Sequence, residues 1–274
     1  MSLQVAGLSK RYGPLLAVDD VTFTVEDGGA LGLVGESGSG KTTTARIIAG
    51  LERADAGTVM VDGADRAGPA RGRGQRLNRA RQIQMVFQDP YLSLDPRLTT
   101  TEALGEIVAL HEPGSRHSRR HRVAELLDQV GLGQREAAAL PRQLSGGQRQ
   151  RVAIARTLAA RPRLLILDEA VAALDVSIQA QILNLLIDLR RQTGIGYLFV
   201  SHDLAVVRYV TEQVAVMHSG RIVEQGATHE VLARPQHAYT RLLLASVPRR
   251  GWDPAAVSRA RRDLHDTTSD KETV

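Results

Sequence analysis

One short segment, Gly35-Glu36-Ser37-Gly38-Ser39-Gly40-Lys41-Thr42, constrains the fold more than any other part of the chain. It fits the spacing G-x-x-x-x-G-K-[S/T] in full. The apolar run Leu31-Gly32-Leu33-Val34 before it predicts a buried strand, and Thr42 to Leu51 after it predicts a helix closed at Gly50. In a strand–glycine loop–helix unit, backbone N–H groups turn inward around phosphate oxygens, and the helix N-terminus adds partial positive charge. Lys41 can then reach the terminal phosphates, and the Thr42 hydroxyl can ligate Mg²⁺. A flexible glycine turn with a solvated lysine would explain the composition of the segment but not its flanks.

The remaining pattern supplies a sheet for this loop to stand on. Val21 to Glu26 alternates apolar and polar side chains, and Asp27-Gly28-Gly29 turns the chain. Thr58 to Val61 and Ile83 to Phe87 predict further strands. From Thr100 to Val130 the period is helical, broken at Pro113-Gly114, and Gly147 to Ala160 continues as a helix. Leu164-Leu165-Ile166-Leu167 suits a central parallel strand covered on both faces. Ile178, Ile182, Leu185, Leu186 and Leu189 share a helical face, and Gly196 to Val200 predicts another buried strand. Val214 to Met217 and Arg221 to Val223 flank a hairpin turn at Ser219-Gly220. Strands alternating with helices indicate an α/β fold with a mostly parallel core sheet and a helical insert between its halves.

Composition removes several classes. With no cysteine there is neither a disulfide framework nor a cysteine-ligated zinc or iron–sulfur site. No stretch approaches the ~20 apolar residues that span a bilayer, and Met1 to Gln4 does not begin a secretory signal. The net charge of +5 admits anionic partners, but much of it sits in two arginine-rich stretches, Arg66 to Arg81 and Arg116 to Arg122, without interleaved aromatics. With aromatics at 3% of the chain, no nucleic acid partner is expected. The tail from 249 to 274 is charged, poor in apolar period and expected to be mobile.

Asp168-Glu169 closes the apolar run. Carboxylates at the end of a buried strand are costly unless they are paired or serve a ligand, and open α/β sheets bind ligands at the carboxyl ends of their strands. Asp168 can hold Mg²⁺ through water, and Glu169 can polarise an attacking water molecule.

Leu144-Ser145-Gly146-Gly147-Gln148-Arg149-Gln150-Arg151, lying shortly before that strand, resembles the signature sequence of ABC ATPases. The resemblance extends over residues 2 to about 248 and implies the P-loop NTPase fold of the ABC ATPase type. That means a mostly parallel core sheet, an antiparallel β region, a helical subdomain at about 98–160 and a C-terminal extension at about 228–248. It implies ATP and Mg²⁺ as ligands and ATP hydrolysis as the activity. Tyr12 resembles the aromatic that stacks on adenine. Gly35, Ser37, Gly38, Ser39, Gly40, Lys41, Thr42 and Thr43 fall on the nucleotide-contacting positions. Gln88 resembles the glutamine that contacts Mg²⁺ and water, and Thr42, Gln88 and Asp168 form the metal set. Glu169, Gln88 and His202, which resembles the switch histidine near the γ-phosphate, form the catalytic set, and Ala173-Leu174-Asp175 resembles the D-loop. A head-to-tail dimer follows from the resemblance. Ser145, Gly147 and Gln148 of one domain would face the ATP held by the other.

A narrower resemblance, to ATPases of oligopeptide, dipeptide and nickel importers, rests on three segments: Val86 to Arg97, Asp175 to Gln181 and Pro235 to Thr240. Asp95 stands where an asparagine is common and Ala172 where a serine is usual. This implies permease partners within the membrane, a second identical or homologous ATP-binding subunit, an external solute-binding protein acting indirectly, and a peripheral place on the cytoplasmic face. Tyr91, Leu92 and Leu94 are expected to receive a permease helix. A soluble ABC ATPase acting on nucleic acid or ribosomes is the alternative. A regulatory subunit without catalysis is disfavoured because Lys41, Asp168, Glu169 and His202 are all present.

Overall fold

The computed structural model describes residues 2–66, 70, 72–112 and 114–246, with the side chains of Tyr91 and Leu92 also outside the described set. The tail expected to be mobile, 249–274, therefore lies outside the described residues.

The chain is α/β with two sheets. Strands β1 (Leu3–Tyr12), β2 (Leu15–Val25), β4 (Ala56–Val61) and β5 (Ala64–Asp65) make an antiparallel sheet in the order β2-β1-β4-β5. Strands β3 (Ala30–Val34), β6 (Ile83–Val86), β7 (Leu164–Asp168), β8 (Gly196–Ser201), β9 (Gln213–His218) and β10 (Arg221–Ala227) make the second sheet, in the order β10-β9-β3-β8-β7-β6. It is parallel from β9 to β6, and β10 closes its edge antiparallel to β9. β3 sits between β8 and β9, so the glycine loop leaves the sheet from an interior strand.

Alternation along the parallel strands divides the interior into two cores. Leu165, Leu167, Tyr197 and Phe199 face one way, and Leu164, Ile166, Leu198 and Val200 the other. On the second face, helix α1 (Lys41–Ala49) buries Ala45, Ile47 and Ile48 against the antiparallel sheet. This double burial is why the strands carry unbroken apolar runs.

On the first face lie most of the remaining helices. Helix α2 (Gly72–Gln82) is an exception, having no buried residue. Helices α3 (Thr100–His111), α4 (Arg116–Gln129), α5 (Gln134–Ala137) and α6 (Gly146–Leu158) form a cluster around Leu104, Val108, Leu126 and Val152. Helix α7 (Val176–Thr193) starts at Asp175, whose carboxylate accepts the Ile178 N–H (3.0 Å), and stops at Gly194 with φ 69°. Its Ile182, Leu186 and Leu189 form the buried stripe. Helices α8 (Leu204–Val210), α9 (Thr228–Ala233) and α10 (Ala238–Ala245) complete the chain.

Leu94 departs from its expected role. It is 6% exposed and packs in the same core as Leu104 and Val108. A large apolar side chain in a loop gains more from burial than from waiting for a partner, so Leu94 anchors the loop and is no docking residue. Tyr91 and Leu92, named with it, fall outside the described side chains. Among the described residues, no helix is long and apolar enough to cross a membrane.

Candidate nucleotide-binding site

The glycine loop is wedged between two backbone strands, which explains its first and last glycines. A Cβ on Gly35 would stand 2.1 Å from the Met217 carbonyl oxygen, and one on Gly40 would stand 2.2 Å from that of Ala17. Both have positive φ, 154° and 103°. The loop is stitched to the β9–β10 turn by the Gly220 N–H, which donates to the Ser39 carbonyl (3.0 Å). Ser37 and Gly38 are exposed at its crest, and Ser39 is buried beneath it. Gly40 caps α1 without a side-chain hydrogen bond, leaving that helix end to whatever anion the loop holds.

Lys41 is buried at the first position of α1. Its Nζ donates to the carbonyls of Gly35 (2.8 Å) and Glu36 (2.7 Å) and to Ser39 Oγ (3.3 Å). Burial lowers its pKa, opposed by the negative charges of Glu169, Asp168 and Glu36. The ammonium thus lies inside its own loop with three acidic groups around it.

Thr42 and Asp168 come together although 126 positions apart, the Thr42 hydroxyl donating to Oδ1 at 3.1 Å. Asp168 is 5% exposed, and burial raises its pKa, partly offset by the Thr42 hydrogen bond. Among the described residues no group of three or more His, Asp or Glu could hold a metal. A hydroxyl and a single carboxylate are nevertheless the donor set that suits Mg²⁺, which is usually held by one or two carboxylates together with substrate phosphates.

Glu169 adopts φ 48°, and its N–H donates to the Val200 carbonyl on β8 (2.9 Å). A non-glycine residue in that region costs of order 1–3 kcal/mol and persists only where neighbours over-determine it. The turn brings Glu169 Oε1 to 3.1 Å from His202 Nδ1. β7 and β8 are neighbours in the sheet, so Asp168, Glu169 and His202 emerge at one edge. Gln88 is exposed two residues beyond β6, the strand that pairs Val86 with Leu167 of β7.

Tyr12 ends β1 with 44% of its surface exposed. Its hydroxyl donates to the Glu52 carboxylate, Thr43 lies beside it, and Lys10 Nζ is 5.4 Å from the ring centroid. Ser145, Gly147 and Gln148 lie apart from these groups. They form the start of α6, where Ser145 Oγ accepts the Gln148 N–H (3.2 Å) and Gln148 Oε1 accepts the Ser145 N–H (2.8 Å). Gln148 Nε2 donates to Glu136 Oε1 (3.2 Å), and Gly147 packs against Ile178. Gly147 is fixed by packing, since a Cβ there would stand 2.5 Å from Ile178 Cγ2.

Sequence reasoning missed one contact. The Tyr239 hydroxyl of α10 accepts the Glu36 N–H of the glycine loop at 2.9 Å. The only available signal was the Pro235 to Thr240 segment, which carries no indication of what it touches.

The chain is similar to known proteins. The family described as ABC transporter matches residues 18–172, and the family described as oligopeptide/dipeptide transporter, C-terminal region, matches 223–267. The chain is 49% identical over 248 residues to the oligopeptide transport ATP-binding protein OppD of Mycobacterium tuberculosis, covering 90% of this chain and 40% of that protein. It is 49% identical over 244 residues to a probable peptide ABC transporter ATP-binding protein of Sinorhizobium fredii, covering 89% and 69% respectively. With the glutathione import ATP-binding protein GsiA of Salmonella typhimurium it shares 46% identity over 258 residues, covering 90% and 41%. The chain thus spans about two fifths of the length of OppD and GsiA. Among solved structures, the ATP-binding cassette MJ0796, described as dimeric and bound to ADP and phosphate, is similar with a TM-score of 0.73 and 30% identity, covering 82% of this chain and 98% of that one. CbiO1 of Clostridium perfringens, part of a cbiONQ transporter complex, is similar with a TM-score of 0.76 and 28% identity, covering 85% and 90%.

Proposed function

Because the chain belongs to the ABC transporter family, we propose that it is the ATP-binding, ATP-hydrolysing subunit of an importer for peptides or similar small solutes. The observation that carries this is the convergence of Lys41, the Thr42–Asp168 pair and the Glu169–His202 pair on one edge of the parallel sheet. A phosphate cradle, an oxygen donor set and an oriented carboxylate are the parts that phosphoryl transfer to water requires.

In this reading the loop N–H groups and the α1 N-terminus hold the phosphates, and Lys41 turns from its carbonyls toward the terminal ones. Thr42, Asp168 and Gln88 would hold Mg²⁺, which neutralises charge building on the phosphate oxygens. Glu169 polarises the attacking water, and His202 fixes the direction of its carboxylate. The exposed Tyr12 ring offers a stacking face for adenine.

The exposed N-terminus of α6 completes the site of a second domain, so hydrolysis waits for two domains to close head to tail. That closure is how ATP binding would move permease partners from the cytoplasmic face of the membrane. The match of 223–267 to the oligopeptide/dipeptide C-terminal region supports a peptide-type importer, and the names of the relatives point the same way.

The test is assembly of Glu169→Gln followed by light scattering with and without Mg²⁺-ATP. ATP-dependent self-association, or association with a co-expressed homologous ATPase, is expected. A variant that binds no ATP, or that shows no ATP-dependent association with either partner, would sink the reading.

A further inference from the structure

The Pro235 to Thr240 segment has no catalytic part in the reading above, yet it is tied closely to the glycine loop. Glu224 on β10 accepts the N–H groups of Gln236 (2.8 Å) and His237 (3.1 Å) through its two carboxylate oxygens. His237 Nδ1 then caps α10 by accepting the Tyr239 N–H at 3.1 Å. Arg241 closes the turn from the other side, donating to the Gln236 carbonyl (2.7 Å). These bonds fix the start of α10 at one position on the β9–β10 hairpin.

That position delivers Tyr239 to the loop. The side chain is fully buried, and its ring stacks on His218 at the end of β9, with centroids 3.9 Å apart and planes inclined by 26°. The stack leaves the hydroxyl oxygen aimed at the Glu36 N–H (2.9 Å). Glu36 is thereby held on both sides of its backbone, its N–H by Tyr239 and its carbonyl by Lys41 Nζ (2.7 Å). A single residue of the phosphate loop joins the C-terminal region to the lysine that the loop exists to place.

We propose that Tyr239 is a positioning residue for the nucleotide site, and that the C-terminal extension sets the conformation of the Gly35–Ser39 backbone through the Tyr239–Glu36 hydrogen bond. The inference rests on the loop being the nucleotide site, but the contact can be tested without nucleotide. Without the hydroxyl, the Glu36 N–H is a partly buried donor that has lost its protein acceptor. The peptide then rotates toward water, and Gly35 and Glu36 no longer present their carbonyls to Lys41 together. The unpaired donor is costly while the ring and its stack remain, so the loss falls on loop geometry more than on the fold.

The experiment compares the full chain with Tyr239→Phe, which keeps the ring, and Thr240→Val. Thr240 is fully buried beside it, and its hydroxyl has no hydrogen-bond partner among the described residues. Amide hydrogen exchange is measured first on nucleotide-free protein. In Tyr239→Phe the loop peptide spanning Glu36 to Ser39 should exchange about three- to tenfold faster, the range of one lost hydrogen bond. Exchange in β7 and in the Thr240→Val loop should stay at the wild-type rate. ATP binding is measured second. Tyr239→Phe should raise Kd and KM by a similar factor while kcat changes less, and Thr240→Val should change neither. Unaltered loop exchange in Tyr239→Phe overturns the proposal whether or not nucleotide binds. So does a loss spread evenly over loop and β7, which marks a general stability role. A wild-type chain that binds no ATP but shows the exchange difference would overturn the nucleotide reading and leave the Tyr239 contact standing.

Discussion

His202 Nδ1 lies 3.1 Å from Glu169 Oε1, joining the ends of two adjacent parallel strands. The contact holds a carboxylate whose backbone already sits at φ 48°. If Glu169 takes the proton of the attacking water, Glu169→Gln should keep ATP binding and lose turnover by about 10²–10⁴-fold. His202→Ala should lose about 100-fold through misdirection of the carboxylate. The double variant should be little worse than Glu169→Gln, since both residues serve one group. Phosphate release and nucleotide affinity for the three variants decide it; additive losses would mean that His202 works independently of Glu169.

Asp168 carries a cost that is visible in pH. Its folded-state pKa is raised above the ordinary 3.8 by burial, so the folded chain holds that proton more tightly than the unfolded one. Stability from this group is present in full below the ordinary value and is lost as pH rises through the raised one, remaining lost at neutral pH. Asp168→Asn should therefore raise the Tm of nucleotide-free protein at neutral pH, while abolishing Mg²⁺-dependent hydrolysis. The gain should shrink as pH falls toward the carboxylate range. Calorimetry across pH would refute this by showing a gain that does not change.

Gly147 tests packing at the start of α6. With Ile178 Cγ2 only 2.5 Å from a would-be Cβ, Gly147→Ala should destabilise the chain by about 1–3 kcal/mol. Adding Ile178→Ala should recover part of that loss by removing the clashing methyl. Urea unfolding of the single and double variants measures both; independent losses would place the strain elsewhere.

Leu94 tests whether its loop is anchored in the core. At 6% exposure it belongs to the core of the helical cluster, so Leu94→Ala should cost about 2–5 kcal/mol in the free chain. A variant as stable as wild type would restore a surface role for this residue.

Much of the scaffold was legible because double burial writes itself plainly: Leu164 to Leu167 and Gly196 to Val200 are unbroken apolar runs, and both are strands. β1 was not, because Gly7 at φ 61° shifts the register between Val5 and Leu8 and breaks the alternation that marks a strand. Helix α2 buries nothing, so it has no apolar stripe to read. In the site, the glycine loop, Asp168, Glu169 and His202 each carry a local signal of type and spacing. The Glu169–His202 contact carries none, nor does the hydroxyl of Tyr239 reaching a backbone N–H 203 positions away. Such pairings depend on which strands end up side by side.

The place of β3 in the sheet has a consequence for how the chain folds. Leu31 to Val34 pair with Leu198 to Ser201 on one side and Gln213 to Val216 on the other. Contacts of such long sequence separation form slowly, because the loop between them must close first. On the ribosome, the roughly 180 residues between Val34 and Val216 take about 10–40 s to add at about 5–20 residues per second. Throughout that interval the Gly35 to Thr42 segment exists as sequence without the Met217 backbone pressed against it. A nascent chain halted before β8 should therefore carry the whole motif and capture no nucleotide.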